Sequence, residues 1–392
     1  MNEKKVKQLF SDYSLYTYNR VGPVFVKGKG SWLWDTKGKK YLDLFPGWGV
    51  GILGHCHPKL AKAISEQCKK LIHLPNNLFF EEQAVLAEYI SKNTFPSKVF
   101  FGNSGAEGIE GAIKISRLYG KSQRHEIIAM KDSFHGRTFA ALSATGQDKY
   151  KDPFKPILPS FHAATLNDLE SVKNLTNDKT VGVLLELVQG EGGINPVTDN
   201  FIKGLVAWCK AKDLLLIVDE VQTGMGRLGK MYAFEYFGIT PDILILSKGL
   251  AGGVPISAIV VGKHLTDLLR PGLHASTFGG SPLATRACLE TYKIIKSEKL
   301  LNNAVKMGDY LNKKLNALKD KYSVIKEVRG IGLMQGIEMN QESFPVFMKA
   351  LEKGVIFNST HNTVMRIMPA LNVTKVEIDY GLNILDDVLK GL

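Results

Sequence analysis

The chain has 392 residues, enough to bury a large core and to form roughly two or three domains. Hydrophobic residues make up 44% and charged residues 22%. No apolar run reaches the roughly 18 residues of a membrane span, and the N-terminus MNEKKVKQLFSDY is charged without the apolar core of a signal peptide, so the sequence reads as a cytosolic globular protein with no membrane partner.

The formal charge of +12 raises the question of a polyanion partner. The lysines, however, are spread at helical spacing through segments such as KIIKSEKLLNNAVKMGDYLNKKLNALKDK, as on a solvated helix face. Anionic small substrates account for the charge as well as nucleic acid does.

In chain order, residues 1–45 contain FVKGKGSWLWDTKGKKYLDLF, which reads as β-hairpins that join a smaller domain formed mainly by the C-terminus. GVGILG, from Gly49 to Gly54, matches the dinucleotide pattern G-x-G-x-x-G. The next helix starts at His57 and Pro58 rather than at the glycines, and Glu66 comes too early to be a ribose-binding acid, so no dinucleotide site is expected. His55, Cys56 and His57 adjoin, but neighbouring side chains diverge and no further ligand cluster accompanies them; no metal is expected. Cys56, Cys68, Cys209 and Cys288 are widely spaced with no C-x-x-C pair, which argues for reduced, mostly packed thiols.

Residues 46–281 read as one large α/β domain. Between Lys98 and Val261 the apolar runs in KVFFGNS, HEIIAMK, TVGVLLELV, LLLIVDE, DILILSK and ISAIVVG alternate with amphipathic stretches, which predicts a mainly parallel sheet covered on both faces. Ligands of such sheets bind beyond the carboxyl ends of the strands. Residues 282–392 read as a smaller α+β domain. It comprises a long helical segment from Leu283 to Lys321, VIKEVRGIGLMQGIEM, a helix near Phe344 to Lys353, strands in GVIFN and VMRIM, and a closing helix with a capping box of Thr374 and Glu377.

Three strand ends carry chemistry. LLLIVDE delivers Asp219 and Glu220, which serve either to cap a turn or to hold a carboxylate where water is scarce. The next strand ends in Lys248, a solvated strand end or an amine in use. At the third, FFGNSGAE, Ser104 and Glu107 fit a capping box, and the small residues around it make a helix N-terminus open to phosphate. A phosphate cradle, a strand-end acid and a strand-end lysine together match the needs of pyridoxal phosphate: an anchor for the phosphate, a carboxylate for the pyridine nitrogen and an amine for the aldehyde.

At these residues the chain resembles the class III pyridoxal-phosphate aminotransferases of fold type I, and among them most the acetylornithine aminotransferases. The motifs run from GSWLWDTKGKKYLDL and LGHCHPKL through FFGNSGAE, SFHGRT, VQGEGG, DEVQTGMGR, LSKGLAGGVPISA and STFGGSPLA to VMRIMPALNVT. The resemblance implies a seven-stranded large-domain sheet, Lys248 as the Schiff-base lysine, Asp219 beside the pyridine nitrogen, Gln222 beside the phenolic oxygen, Gly105 and Ala106 at the phosphate and Phe134 against the pyridine ring. It gives Thr277 of STFGG to the phosphate of a neighbouring subunit, hence a homodimer with shared active sites, and puts Ser276 near the substrate.

For the substrates, Arg137 is the candidate for holding a carboxylate, and Arg366 for a second one, paired with Glu191 when that carboxylate is absent; a structural ion pair is the plainer reading of Arg366. The resemblance implies transfer of the terminal amine of N-acetylornithine to 2-oxoglutarate in arginine biosynthesis. Succinyldiaminopimelate, ornithine, 4-aminobutyrate or another omega-amine are alternative donors. A non-catalytic cofactor-binding or a basic nucleic-acid-binding protein are alternatives of other classes. The chain departs from the family pattern at Gly108, Ile109, Leu187, Ala275 and Ser281, which bears on the choice of substrate.

Overall fold

The structure, a computed structural model, describes residues 1–392. At its centre a seven-stranded sheet runs in the order Ser97–Gly102, Ser257–Gly262, Ile243–Leu246, Leu215–Asp219, Thr180–Leu185, Glu126–Met130, Phe161–Ala164. All strands are parallel except Ser257–Gly262, which opposes both neighbours. This is the mainly parallel α/β sheet that the apolar runs predict.

Those runs have no polar face because both faces of the sheet are covered. Leu216, Val218, Leu244 and Leu246 join a core cluster of 72 buried residues, whereas the alternate residues Leu215, Ile217, Ile243 and Ile245 join a separate cluster of 17. The two-residue pleat thus divides each strand between two cores, and each buried Leu, Ile or Val side chain contributes roughly 1.5–3 kcal/mol. Polar chemistry is left only the positions where a strand stops. Since the parallel strands stop at one edge, Gly102, Met130, Leu185, Asp219 and Leu246 all deliver the chain to the same side.

Val188–Gln189 pairs with Asn195–Pro196 in a small two-stranded sheet, and two four-stranded sheets flank the central one. Phe25–Lys29, Trp32–Asp35 and Lys40–Asp43 form an antiparallel meander, and Val355–Ile356 adds to it in parallel, pairing Val355 with Leu42. The second sheet has the order Ile325–Ile331, Met334–Met339, Val364–Ile367, Asn358–Thr360, all antiparallel. The closing helix Lys375–Leu389 starts at the expected capping box of Thr374 and Glu377, and Glu377 also accepts a hydrogen bond from Trp32 Nε1 at 3.1 Å. The two chain ends are thereby stitched together.

The segment expected as one helix from Leu283 to Lys321 is two, Pro282–Ser297 and Leu300–Lys321, separated at Lys299, which holds a left-handed φ of 53°. The first packs on the helices Pro58–Lys70 and Glu81–Lys92, the second on Ile325–Ile331 and the closing helix. One straight rod could not serve both sets of partners. GVGILG opens no helix: Pro46–Gly49 is a tight turn with Gly47 and Trp48 both at positive φ, and the next helix starts at Pro58. No helix is long and apolar enough to cross a membrane.

Candidate active site

At the carboxyl edge of the central sheet lies a cavity of about 580 Å³. Its floor is made by strand ends. Asp219 closes Leu215–Asp219; its Oδ1 accepts the backbone N–H of Val221 at 3.0 Å, and its Oδ2 lies 2.8 Å from His135 Nδ1. His135 is buried, and its other ring nitrogen has no partner in the chain. The adjacent Glu220 takes a separate role: it accepts the backbone N–H groups of Ala233 and Phe234, both at 2.7 Å, and so caps the helix Ala233–Phe237. Burial pushes the Glu220 carboxyl up to about 8 against those two donors.

Lys248 follows Ile243–Leu246 and lines the same cavity. It holds a left-handed φ of 45°, which costs a non-glycine residue on the order of 1–3 kcal/mol and persists only where the surroundings impose it. Its amine makes no ion pair or side-chain hydrogen bond, and burial holds its pKa below that of an ordinary lysine, with Glu191 pulling the other way. The glycines after it do not all face the cavity. A Cβ on Gly249 would stand 2.8 Å from Ile52 and one on Gly252 2.7 Å from Leu60, so these two admit the 52–60 segment, and of the three only Gly253 lines the cavity.

The third strand end leads into the 15-residue helix Gly105–Tyr119. Ser104 caps it by accepting Glu107 N–H at 3.3 Å, while Glu107 Oε2 takes the backbone and side-chain N–H groups of Asn103. The N–H groups of Gly105 and Ala106 have no partner in the chain and lie on the cavity wall, at the positive end of the helix. A Cβ on Gly105 would meet Val221 at 2.8 Å, so the close approach of this turn to the Asp219 loop requires glycine.

Phe134 and Arg137 form one side wall. Glu186 fixes it by accepting the backbone N–H of Phe134 through one carboxylate oxygen and that of Gly190 through the other, both at 2.9 Å. Burial pushes Glu186 up to about 7, countered chiefly by His135. The Arg137 guanidinium lies 4.1 Å from the centroid of the Tyr150 ring and 5.3 Å from that of Phe134, and meets no carboxylate. Glu110 holds the neighbouring Thr138 hydroxyl and the N–H groups of Ala140 and Ala141.

On the opposite wall Arg366, fully buried, donates from Nη1 to Glu191 Oε1 at 2.8 Å and from Nε to Asn358 Oδ1 at 2.8 Å. Gln222 sits between, 3.4 Å from Arg366 and 3.5 Å from Glu191. Burial raises the Glu191 pKa, but the Arg366 guanidinium outweighs it and holds the carboxyl below the usual range.

Of the residues singled out in the sequence, Lys248, Asp219, Gly105, Ala106, Phe134, Gln222, Arg137 and Glu191 line this one cavity, and Arg366 reaches it through Glu191 and Gln222. Ser276 and Thr277 do not line it. The Ser276 hydroxyl accepts from Asn103 and from the Gly279 N–H, and Thr277 is exposed. His135, Glu186 and Tyr150 were not singled out, although SFHGRT and VLLELVQ contain the first two. The departures at Gly108, Ile109, Leu187, Ala275 and Ser281 all lie off the cavity wall. Gly108 abuts Ile245, Ile109 is core, Leu187 is fully buried, and Ser281 caps the helix Pro282–Ser297.

The residues fit pyridoxal phosphate: unpaired backbone N–H groups at a helix N-terminus for the phosphate, an aromatic wall, a buried strand-end carboxylate and a lysine amine with no partner. A sequence profile of the family "Aminotransferase class-III" matches residues 16–389. The chain is 47% identical to an acetylornithine aminotransferase of Caldanaerobacter subterraneus subsp. tengcongensis, over 97% of this chain and 98% of that one. To an acetylornithine aminotransferase of Methanocaldococcus jannaschii it is 43% identical, over 99% and 98%. Among solved structures it resembles an ornithine aminotransferase from Toxoplasma gondii, with PLP partially occupying the active site, at a TM-score of 0.95 and 31% identity, covering 100% of this chain and 95% of that one. An acetylornithine aminotransferase from Elizabethkingia anophelis matches at a TM-score of 0.89 and 27% identity, with both chains fully covered.

Proposed function

This chain belongs to the class III aminotransferases, and from that premise we propose that it moves the terminal amine of N-acetylornithine to 2-oxoglutarate, giving N-acetylglutamate semialdehyde and glutamate. The single observation that carries the proposal is a cavity in which an unpartnered, buried lysine amine faces one free arginine and a second arginine masked by a carboxylate.

In this reading Gly105 and Ala106 would hold the phosphate of pyridoxal phosphate, Phe134 would cover one face of its ring, Asp219 would meet the pyridine nitrogen, Gln222 the phenolic oxygen, and Lys248 would supply the amine for the aldehyde. When bound, the cofactor supplies an electron sink next to the reacting carbon and a carrier for the amine between two half-reactions. The Lys248 amine, which burial keeps less basic than an ordinary lysine, would be free once the substrate amine has taken its place. It would then carry the proton from the substrate carbon that bears the nitrogen to the cofactor carbon within the same half-reaction; the other half-reaction would run that transfer in reverse. Asp219, oriented by His135 and Val221 N–H, would present its carboxyl group to the pyridine nitrogen.

The two arginines explain how one pocket serves two substrates. Both substrates carry a carboxylate remote from the reacting carbon, which suits Arg137. Only the oxo acid carries another beside the reacting carbon, which suits Arg366. While the donor is bound Glu191 neutralises Arg366, so no bare cation faces the donor's uncharged CH₂; when the oxo acid enters, Glu191 must yield.

We assign residues 46–281 to the cofactor unit and 1–45 with 282–392 to a smaller unit that brings Arg366 to it. The working form is read as a homodimer in which Thr277 serves the neighbouring site, since it does not serve its own. Four free cysteines fit a reducing compartment such as the cytoplasm.

A donor panel tests the proposal. Purified protein with pyridoxal phosphate is expected to exchange N-acetylornithine with 2-oxoglutarate at a higher kcat/KM than it shows with succinyldiaminopimelate, ornithine or 4-aminobutyrate. A wide preference for one of the others replaces the donor, and cofactor absorbance without exchange removes the enzymatic reading.

A further inference from the structure

We propose that the short strand Asn358–Thr360 holds both halves of the Glu191–Arg366 gate, and that Asn358 is the positioning residue that keeps Arg366 aimed at the cavity after Glu191 has released it. The proposal rests on the gate reading given above and identifies what makes the gate reversible.

Asn358 stands directly opposite Arg366 in the antiparallel pair with Val364–Ile367. Its Oδ1 accepts from Arg366 Nε at 2.8 Å, on the side of the guanidinium away from Glu191. Two residues along the strand, on the same face by the two-residue pleat, Thr360 Oγ1 donates to the backbone carbonyl of Glu191 at 3.0 Å. Ser359, on the other face, hydrogen-bonds to the Ser343 hydroxyl and anchors the strand from behind. One face of three residues therefore grips the arginine by Nε and the glutamate by its backbone. What stays movable is the Glu191 carboxylate.

When that carboxylate leaves, Nη1 loses its 2.8 Å partner. The remaining contacts of Arg366 are then the 3.4 Å approach to Gln222, the Phe45 ring whose centroid is 4.8 Å from Cζ, and Asn358. Of these only the Asn358 bond is short and directional, and it fixes the plane of the guanidinium so that the Nη edge can take a carboxylate in a bidentate manner. An amide suits the task because it accepts from Nε without neutralising the charge; a carboxylate there would cancel the attraction that an incoming dicarboxylate needs.

The test uses the holoenzyme and glutarate, a five-carbon dicarboxylate that lacks the reacting oxo group, titrated by calorimetry alongside separate measurement of the two half-reactions. Asn358→Ala is expected to weaken glutarate binding and raise KM for 2-oxoglutarate by about 10-fold or more, with the donor half-reaction changed by less than about 3-fold. Asn358→Asp, which is isosteric and keeps an acceptor on Nε, is expected to fold and also to lose glutarate affinity, here through charge cancellation. Either variant binding glutarate as the unaltered protein does, or both half-reactions falling together, overturns the role of Asn358. Unaltered protein that transaminates yet fails to bind glutarate overturns the gate reading on which that role stands.

Discussion

Arg137 meets no carboxylate within its own chain, and an aromatic wall fixes it instead. Its guanidinium lies 4.1 Å from the Tyr150 ring, which in turn meets Phe134 edge-on at 5.8 Å. A cation over an aromatic face is worth about 0.5–2 kcal/mol, depending on how far it is desolvated. In the proposed reading Arg137 holds a carboxylate of both substrates, and because its aromatic contact exists before either arrives, loss of that contact would be a loss of uniform binding. Tyr150→Leu is therefore expected to raise KM for both the amine donor and 2-oxoglutarate by about 2–30-fold with kcat nearly unchanged, whereas Tyr150→Phe keeps the ring and stays near the unaltered value. A kcat loss shared by both variants would instead place the Tyr150 hydroxyl in the chemistry. At this scale the sequence was legible as to which motif residues gather in one place: Lys248, Asp219 and Arg137, each singled out in its motif, line the same cavity. Glu186 and His135 were not legible, since each acquires its meaning from a partner 52 or 84 positions away that only folding brings within 2.9 Å. The five departures could be read only as a doubt about substrate; the fold assigns Gly108, Ile109 and Leu187 to packing instead.

The strands were legible as elements because two covered faces force an uninterrupted apolar run, and because that run must stop where polar chemistry begins. The break at Lys299 had no glycine or proline to announce it; it follows from two helices packing on different neighbours. The pair Asp219 and Glu220 shows how one strand end serves two elements, the first facing the cavity and the second capping Ala233–Phe237. This second duty has a pH signature. Burial raises Glu220 to about 8, whereas an unfolded glutamate titrates near about 4.3. Between those values the folded chain keeps a proton that the unfolded chain has lost, so the unfolded state binds fewer protons and stability falls as pH rises through the window. Glu220→Gln removes that titration. Its Tm relative to the unaltered protein is expected to climb between about pH 4.5 and pH 8 and then level off, measured by thermal melts on the cofactor-free form. Parallel profiles across that range would show that the two backbone donors keep Glu220 ionised throughout.

At the scale of the whole molecule, large apolar side chains stand exposed beside the STFGG loop. Phe79 is fully exposed and Leu78 and Phe278 are more than half exposed, an arrangement that water disfavours and that marks contact surfaces when the residues are contiguous. These residues are tied to the loop that carries Thr277. Asn76 donates to the carbonyls of Ser276 and Gly279, Gln83 donates to Asn76 and to the Gly280 carbonyl, and the Phe278 ring lies 5.3 Å from His73. The same loop reaches the turn that opens the helix Gly105–Tyr119 through Asn103, which donates to the Ser276 hydroxyl at 3.1 Å. In the dimer proposed above, a second copy packed on this face would bury the phenylalanines and would bring Thr277, which does not line its own cavity, to the neighbouring one. Phe79→Asp is expected to shift the protein from dimer to monomer in sedimentation experiments at micromolar concentration, because an unpaired carboxylate in a desolvated interface costs far more than it does in water. In the proposed dimer the loss of the partner would also take the neighbour's threonine from each site, so the variant is expected to release pyridoxal phosphate on dialysis faster than the unaltered protein. Thr277→Val isolates the second effect: it is expected to stay dimeric and still lose cofactor faster. A Phe79→Asp protein that remains dimeric rules this face out as the interface, and a Thr277→Val protein that retains cofactor normally removes the threonine from the shared site.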